Sequence, residues 1–541
     1  MELKTLHLSL LAVIGGTLMG VSFPFTGGLF FLSFIGFVPL IIINLELNKP
    51  NKFRFFKRFG LNYLYFVLFN FITTWWIYKA SEGGMYMAVF SNSLLMTIPF
   101  FFFGFIARFL GENKGLLALV VFWLSFEYAH YFWELSWPWL SFGHIFGSQP
   151  WLIQWYEFFG VTGGSLWVLL ANISFYFLIR NRFLRGESWR IQAPIFLIGG
   201  LVLFLPIVSS IIMYYSHTEK GEPVDIVIVQ PNLDAYTEKF FTPFPEQLSL
   251  MLSLAESKID KHTDLILCPE TAISARVDET KLEQEPIMHE IKRFLGEFPN
   301  LKMLIGADSY QLFSHENSLA ARKLNGQDIW FESYNSAFLI DPNEKTQIYH
   351  KAKPVLGAEK VPFLSWFPGL KQYSVELGGT SAMIGLGEEP INFTANETMY
   401  APLICYESVY GDYVSYFTAR GAEILCVITN DGWWGDTPGY KQHRSFSQIR
   451  AIENRRSVAR SANTGISCGI DQKGDIIDEL KWDVEGALNI TLQKNNEITF
   501  FVRYGDVIGR ISMFLAIAMF IYSLTTYAKS KGITDKMKLN R

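Results

Sequence analysis

The sequence predicts a membrane protein in two parts: a polytopic α-helical domain of about eight spans and an α/β domain outside the bilayer. Three observations carry this. Half of the 541 residues are hydrophobic and 16% are aromatic, while only 18% are charged, fewer than a soluble chain of this length carries. The apolar residues gather at the two ends. Between them, residues 222–500 differ in composition and alternate short β-rich runs with helical ones.

Seven stretches before residue 216 are long and apolar enough to span a bilayer, at roughly 6–23, 28–45, 60–78, 87–106, 115–133, 161–179 and 194–215. An eighth lies near 507–527. Buried core helices are the alternative, but seven in succession without a polar face do not suit them. Lys49, Lys52, Arg54, Lys57 and Arg58 lie between the second and third stretches, and Arg108 and Lys114 between the fourth and fifth. Arg180, Arg182, Arg185 and Arg190 lie between the sixth and seventh, and Lys529, Lys531, Lys536, Lys538 and Arg541 follow the eighth. The intervening loops are poor in Lys and Arg. Positive loops stay cytoplasmic, so both termini are expected inside and residues 216–503 outside. The first span has no small-residue cleavage site and is read as retained. The expected domains are an N-terminal transmembrane domain of seven spans over 1–216, an extramembrane domain over 222–500, a C-terminal transmembrane helix over 505–528 and a cytoplasmic basic tail over 529–541. The outward loop from Trp137 to Trp151, rich in Trp and Pro, suits either an interfacial aromatic belt or a lipid-facing entrance.

In the middle domain, strands are expected at 225–229, 265–268, 303–306, 337–340, 403–405, 424–429 and 488–492, and helices at 245–261, 281–297 and 442–459. Residues 354–399 lack periodicity and hold Gly, Pro and aromatics, as a lid or binding loop does. The net charge of −4, with no basic stripe interleaved with aromatics, speaks against a nucleic-acid partner. Cys268, Cys405, Cys426 and Cys468 have no C-x-x-C spacing and no clustered histidines, so a zinc site is not expected; a disulfide outside the cytoplasm stays open.

The apolar run 400–404 ends on Cys405, a polar turn follows, and Tyr413, Tyr416 and Phe417 then fall at helical spacing. Such a strand, turn and helix can present a nucleophile beside backbone N–H groups. A lone cysteine is more often structural. Two further stretches change that reading: the run 265–267 leads to Glu270, and Lys351 follows the strand-like segment that begins at Ala337. A carboxylate that takes the thiol proton and a lysine that stabilises thiolate and oxyanion complete an acyl-transfer set.

These residues resemble the Glu–Lys–Cys arrangement of the carbon–nitrogen hydrolase, or nitrilase, superfamily. Eight spans around an external domain of that kind resemble its membrane-embedded branch, the bacterial apolipoprotein N-acyltransferases. Pro269-Glu270-Thr271 matches the glutamate motif, the segment from Lys351 to Glu359 the lysine motif, Cys405-Tyr406-Glu407 the nucleophile triplet, and the run from Asn430 to Asp436 the N-D-x-W-x-G-D loop. Arg450 to Glu453 and Arg460 to Gly465 match the following helix and strand. Two departures stand out: Leu356-Gly357-Ala358-Glu359 replaces a V-P-F-G-E run, and Tyr236 or Phe240 stands near where the family places a tryptophan. The resemblance implies an αββα sandwich for 222–500, with Glu270 as general base, Lys351 as transition-state stabiliser and Cys405 as nucleophile. Glu359, Tyr406, Glu407, Trp433 and Asn335 are the implied supporting or substrate-binding residues. It further implies acyl transfer from a phospholipid donor, through a cysteine thioester, to the α-amino group of a diacylglyceryl-apolipoprotein. No cofactor or metal is implied. The expected setting is a monomer in the bacterial inner membrane with its catalytic domain on the periplasmic face. A membrane-anchored amidase passing the acyl group to water and a non-catalytic scaffold are the rival readings. The apolar stretch 361–367, bracketed by Pro362 and Pro368, and Trp433-Trp434 are expected to border the Cys405 pocket and touch lipid.

Overall fold

The computed structural model describes residues 4–48, 53–239, 241–367, 369 and 383–539. Lys49, Lys52, Phe240, Pro368 and Arg541, together with part of the segment 354–399, lie outside the described residues. The chain divides into two units, one of residues 1–75, 85–212 and 506–541, the other of residues 76–84 and 213–505.

In the first unit, five of the eight expected spans are helices long and apolar enough to cross a membrane: Thr5–Ser22, Glu82–Leu110, Tyr156–Phe183, Arg190–Ser216 and Val507–Lys529. The other three stretches are helical but fall short. The second is broken into Phe30–Leu32, Ser33–Gly36 and Val38–Glu46. Asn172 patches the break, its Oδ1 accepting from the N–H groups of Phe37 (2.8 Å) and Val38 (3.1 Å) while its Nδ2 donates to the Ser33 carbonyl (2.7 Å). An interrupted apolar helix needs such a partner, because no water reaches its freed backbone groups. The third stretch, Arg54–Thr74, opens on Arg54, Lys57 and Arg58, and the fifth, Glu112–Ala129, carries Glu112, Lys114 and Glu127, which dilute the apolar run.

The loop after Glu112–Ala129 is buried over most of its length. It folds into short 3-10 turns at Pro138–Leu140, Phe142–Phe146 and Pro150–Leu152, with Trp139, Phe142, Ile145 and Phe146 buried and Trp151 exposed. Glu127 accepts from the Phe142 N–H (3.0 Å), Ser165 Oγ from the Gly143 N–H (3.0 Å), and Tyr156 donates to the Gly143 carbonyl (2.8 Å). Sequence composition reported the aromatics correctly but not these three anchors, which turn the loop inward.

The second unit is an αββα sandwich. Its strands are β1 (Pro223–Gln230), β2 (Thr263–Leu267), β3 (Ile273–Asp278), β4 (Lys302–Phe313), β5 (Arg322–Lys323), β6 (Trp330–Ile340), β7 (Gln347–His350), β8 (Phe393–Ala395), β9 (Thr398–Ile404), β10 (Ile424–Thr429), β11 (Ser457–Ala462), β12 (Ser467–Ile470), β13 (Ile476–Leu480) and β14 (Gly486–Gln493). One sheet runs β14-β1-β2-β4-β6-β5, with β3 beside β4 and β7 beside β6; the other runs β13-β12-β11-β10-β9-β8. The strands β1, β2 and β4 are parallel, as are β9, β10 and β11. Every residue of β10 is buried, as befits a central parallel strand covered on both faces. Helices Phe244–Glu256 and Pro286–Leu295 close the outside of the first sheet through Leu248, Met251, Met288 and Ile291. Helices Gly411–Ala419 and Pro438–Asn454 pack against the second. Between the sheets, Ser461 Oγ donates to the Val229 carbonyl (2.7 Å) and Ser467 Oγ to Gln230 Oε1 (2.7 Å).

Two expected helices are corrected. The one at 281–297 is a 3-10 turn, Glu279–Gln284, then a helix from Pro286, whose ring suits a first helical position. The one at 442–459 stops at Asn454, because Arg455 takes a left-handed conformation (φ 48°), and β11 begins at Ser457.

Candidate active site

The parallel strands end on one edge, and the singled-out residues leave from there. After β2 the chain turns sharply through Pro269-Glu270-Thr271, with Thr271 at φ 47°. Gly306 of β4 makes room for this turn: its N–H donates to the Pro269 carbonyl (3.1 Å), and a Cβ there would lie 2.6 Å from Glu270 Cα. Lys351 follows β7, its N–H bonded to the Asn335 carbonyl of β6 (2.9 Å). Cys405 follows β9 at φ 53°, a conformation costly for a residue with a side chain and maintained only where surroundings enforce it.

Four polar side chains meet here. Lys351 Nζ donates to Glu270 Oε1 (3.1 Å) and Glu359 Oε1 (2.8 Å), and Asn335 Nδ2 to the same two oxygens (2.8 and 3.0 Å). The second oxygen of Glu270 accepts from the Asn430 N–H (3.0 Å), and that of Glu359 from the Val355 N–H (2.7 Å). Lys351 is 1% exposed, Glu270 6% and Cys405 8%, so these charges act on one another with little screening. Burial pushes the Glu270 carboxyl up, but Lys351, Asn335 and Lys239 outweigh it and hold the group below the usual carboxylate range. Burial lowers Lys351, yet Glu270 and Glu359 keep it well above an ordinary lysine. Burial and the Glu270 charge raise the Cys405 thiol, against the pull of Lys351. The resting site therefore holds an ionised glutamate, an ammonium and a neutral thiol, and the thiol must give up its proton during attack.

Glu407 stands behind the nucleophile. It is buried, and its oxygens accept from the N–H groups of Ile404 (2.8 Å) and Ala352 (2.7 Å) and from the Tyr349 hydroxyl (2.6 Å), tying the strand before Cys405 to the loop after Lys351. Burial pushes its carboxyl up to about 7. Tyr406 is buried with its ring edge-on to Tyr410, and Trp433 is half-buried with its ring edge-on to Tyr236. Its neighbour Trp434 packs on Trp76 (ring centroids 4.8 Å apart), whose Nε1 donates to Gln442 (3.3 Å). Of the apolar stretch 361–367, Val361 and Leu364 are buried against Met383, while Trp366 and Phe367 are exposed.

Two parts of the site have no counterpart in the sequence motifs. Lys239, 1% exposed, donates through Nζ to the Glu270 carbonyl (2.9 Å). His443, on helix Pro438–Asn454, has Nδ1 2.9 Å from Asp431 Oδ1 and Nε2 3.1 Å from the Cys405 carbonyl oxygen. Arg460 Nη2 donates to the other oxygen of Asp431 (2.6 Å). Nε2 also lies 3.0 Å from the Ser408 hydroxyl, so the buried ring braces the turn that carries the nucleophile from within the fold.

Known proteins match the chain over most of its length. Residues 228–497 match the carbon-nitrogen hydrolase family and residues 15–174 the apolipoprotein N-acyltransferase N-terminal domain. An apolipoprotein N-acyltransferase of Chlorobaculum tepidum is 30% identical over 524 residues, covering 94% of each chain. Proteins of the same name from Geobacter metallireducens (28% over 519 residues, 92% of each chain) and Thermotoga maritima (25% over 549 residues, 97% of this chain and 95% of that one) are similar throughout.

Proposed function

The chain belongs to the apolipoprotein N-acyltransferase family, and from that premise we propose that it carries an acyl chain from a membrane phospholipid, through a thioester on Cys405, to the N-terminal α-amino group of the lipid-modified cysteine of an apolipoprotein. The observation that supports this most is the bridge of Lys351 between Glu270 and Glu359 beside a strained, buried Cys405. Glu270 takes the thiol proton as Sγ bonds to the carbonyl carbon of the acyl ester. The oxyanion develops beside the Lys351 ammonium. It collapses, the ester C–O bond breaks, and the lysophospholipid oxygen leaves with the proton from Glu270. In the second half-reaction the α-amino nitrogen attacks the thioester and gives a proton to Glu270. The C–S bond breaks and the thiolate takes that proton back, leaving an amide. The acyl group travels on the cysteine, so the scheme uses no cofactor. Asn335 and Glu359 hold Lys351 and Glu270 in register, Glu407 fixes the nucleophile strand, and Tyr406 and Trp433 line the approach.

In this reading residues 222–500 are the catalytic domain on the periplasmic face of the inner membrane, residues 1–216 and 505–528 anchor it there, 529–541 form a basic cytoplasmic tail, and the protein acts as a monomer. Transfer to water would use the same three residues, but the exposed Trp366 and Phe367 favour a lipid-bound pair of substrates. Mass spectrometry of the purified protein after incubation with phospholipid vesicles should find one acyl group on Cys405. A lipopeptide with a free N-terminal amine should discharge it. Cys405→Ser and Glu270→Gln should carry no adduct. An adduct that forms at the wild-type rate in Glu270→Gln, or that water removes as fast as the amine does, would sink the scheme.

A further inference from the structure

Glu270 and Glu359 bring two negative charges to a site where Lys351 supplies one positive charge. Lys239 supplies the other. Its Nζ donates to the carbonyl of Glu270 itself, and its own backbone is pinned on both sides: its N–H donates to the Asp234 carbonyl (2.9 Å), and its carbonyl accepts from Gln247 Nε2 (2.8 Å). The Asp234 carboxylate on the same loop is occupied by the N–H groups of Tyr236 (2.9 Å) and Thr237 (2.7 Å). The titratable groups that act on the Lys239 ammonium are Glu270 and Cys405, which raise it, while burial presses it down to about 8. A buried ammonium whose hydrogen-bond partner is a neutral carbonyl is costly unless a charge elsewhere compensates it. The charges on Lys239, Lys351, Glu270 and Glu359 sum to zero with the thiol neutral, and the sum stays zero when the thiol proton moves to Glu270. With Lys239 neutral, either state leaves a buried excess negative charge, and a thiolate formed beside it is disfavoured.

We propose that Lys239 is the second cation of the acyl-transfer site, a positioning residue that holds the Glu270 turn and keeps the thiolate state of Cys405 accessible. The inference rests on the reading of Glu270 and Cys405 given above. The test is the rate of Cys405 alkylation by iodoacetamide against pH in the full-length protein, for wild type, Lys239→Gln, Lys239→Arg and Glu270→Gln, with thermal unfolding of each. Gln keeps a polar donor on a shorter side chain but carries no charge, and Arg keeps the charge. Lys239→Gln should alkylate about tenfold more slowly at neutral pH, its profile moved up by about one unit, and Lys239→Arg should stay close to wild type. A wild-type profile in the folded fraction of Lys239→Gln, whatever its thermal stability, or an Arg variant as slow as the Gln one, overturns the proposal. Wild-type alkylation in Glu270→Gln instead overturns the underlying assignment of the base.

Discussion

Glu270 and Glu407 are both buried carboxyls, and their proton affinities have moved in opposite directions. Glu270 lies below its ordinary 4.5, so as pH falls the unfolded chain takes up its proton first. Its contribution to stability is complete above the unfolded value and is lost as pH drops through the folded one. Glu407 is pushed up to about 7, so between 4.5 and about 7 the folded chain holds a proton that the unfolded chain has released. Its contribution therefore declines as pH rises across that window. Glu407→Gln should flatten the stability profile between pH 4.5 and 7 and leave the acid arm unchanged, as measured by chemical denaturation at several pH values. A neutral arm with its original slope would mean that Glu407 is ionised throughout. Glu270, Lys351 and Cys405 were legible in the sequence because each follows an apolar strand in a recognisable run. Lys239 and His443 were not. Each is a single residue without a spacing pattern, one in a turn and one on a helix, and only the fold brings Lys239 to the Glu270 carbonyl and His443 to that of Cys405.

The stretch 361–367 divides its residues between two tasks. Phe363, at φ 57°, turns the chain so that Leu364 faces inward with Val361, and Trp366 and Phe367 face out at 74% and 60% exposure. The expectation that Leu364 touches lipid gives way to an anchoring role, while the two exposed rings keep the lipid-contact proposal. Replacing Trp366 and Phe367 by serine should raise the KM for vesicle phospholipid several-fold with little change in Tm, because exposed rings contribute interfacial anchoring rather than packing. Leu364→Ser should instead cost about 2 kcal/mol of stability. Equal use of vesicle donor by the double variant and wild type would remove the lipid contact. Element ends were the least legible feature at this scale. Arg455 carries no glycine or other strong stop signal, and the tertiary structure imposes that break, whereas Pro286 does mark the true start of its helix, inside the expected 281–297.

At the scale of the molecule, the Lys/Arg distribution carries the orientation proposal. Reporter fusions at Lys220 and after residue 529 should report opposite sides of the membrane, Lys220 outside. The same side for both would overturn the topology and with it the encounter with lipoprotein substrates. The sandwich was legible because its parallel strands are continuous apolar runs. The interruptions within the apolar stretches were less legible: 28–45 keeps the composition of a span but breaks into short helices, and charges dilute the helices Arg54–Thr74 and Glu112–Ala129. The second unit also includes residues 76–84, far from the rest of it in sequence. Trp76 is buried there, close enough to Gly439 that a Cβ at that position would lie 2.7 Å from its indole, and Tyr236 donates to the Lys79 carbonyl (3.1 Å). The second unit is thus not one contiguous stretch of the chain. A soluble version excised at residue 213 leaves the indole behind, strips one side from Trp434 and the start of helix Pro438–Asn454, and must have the nine-residue segment grafted back to be whole.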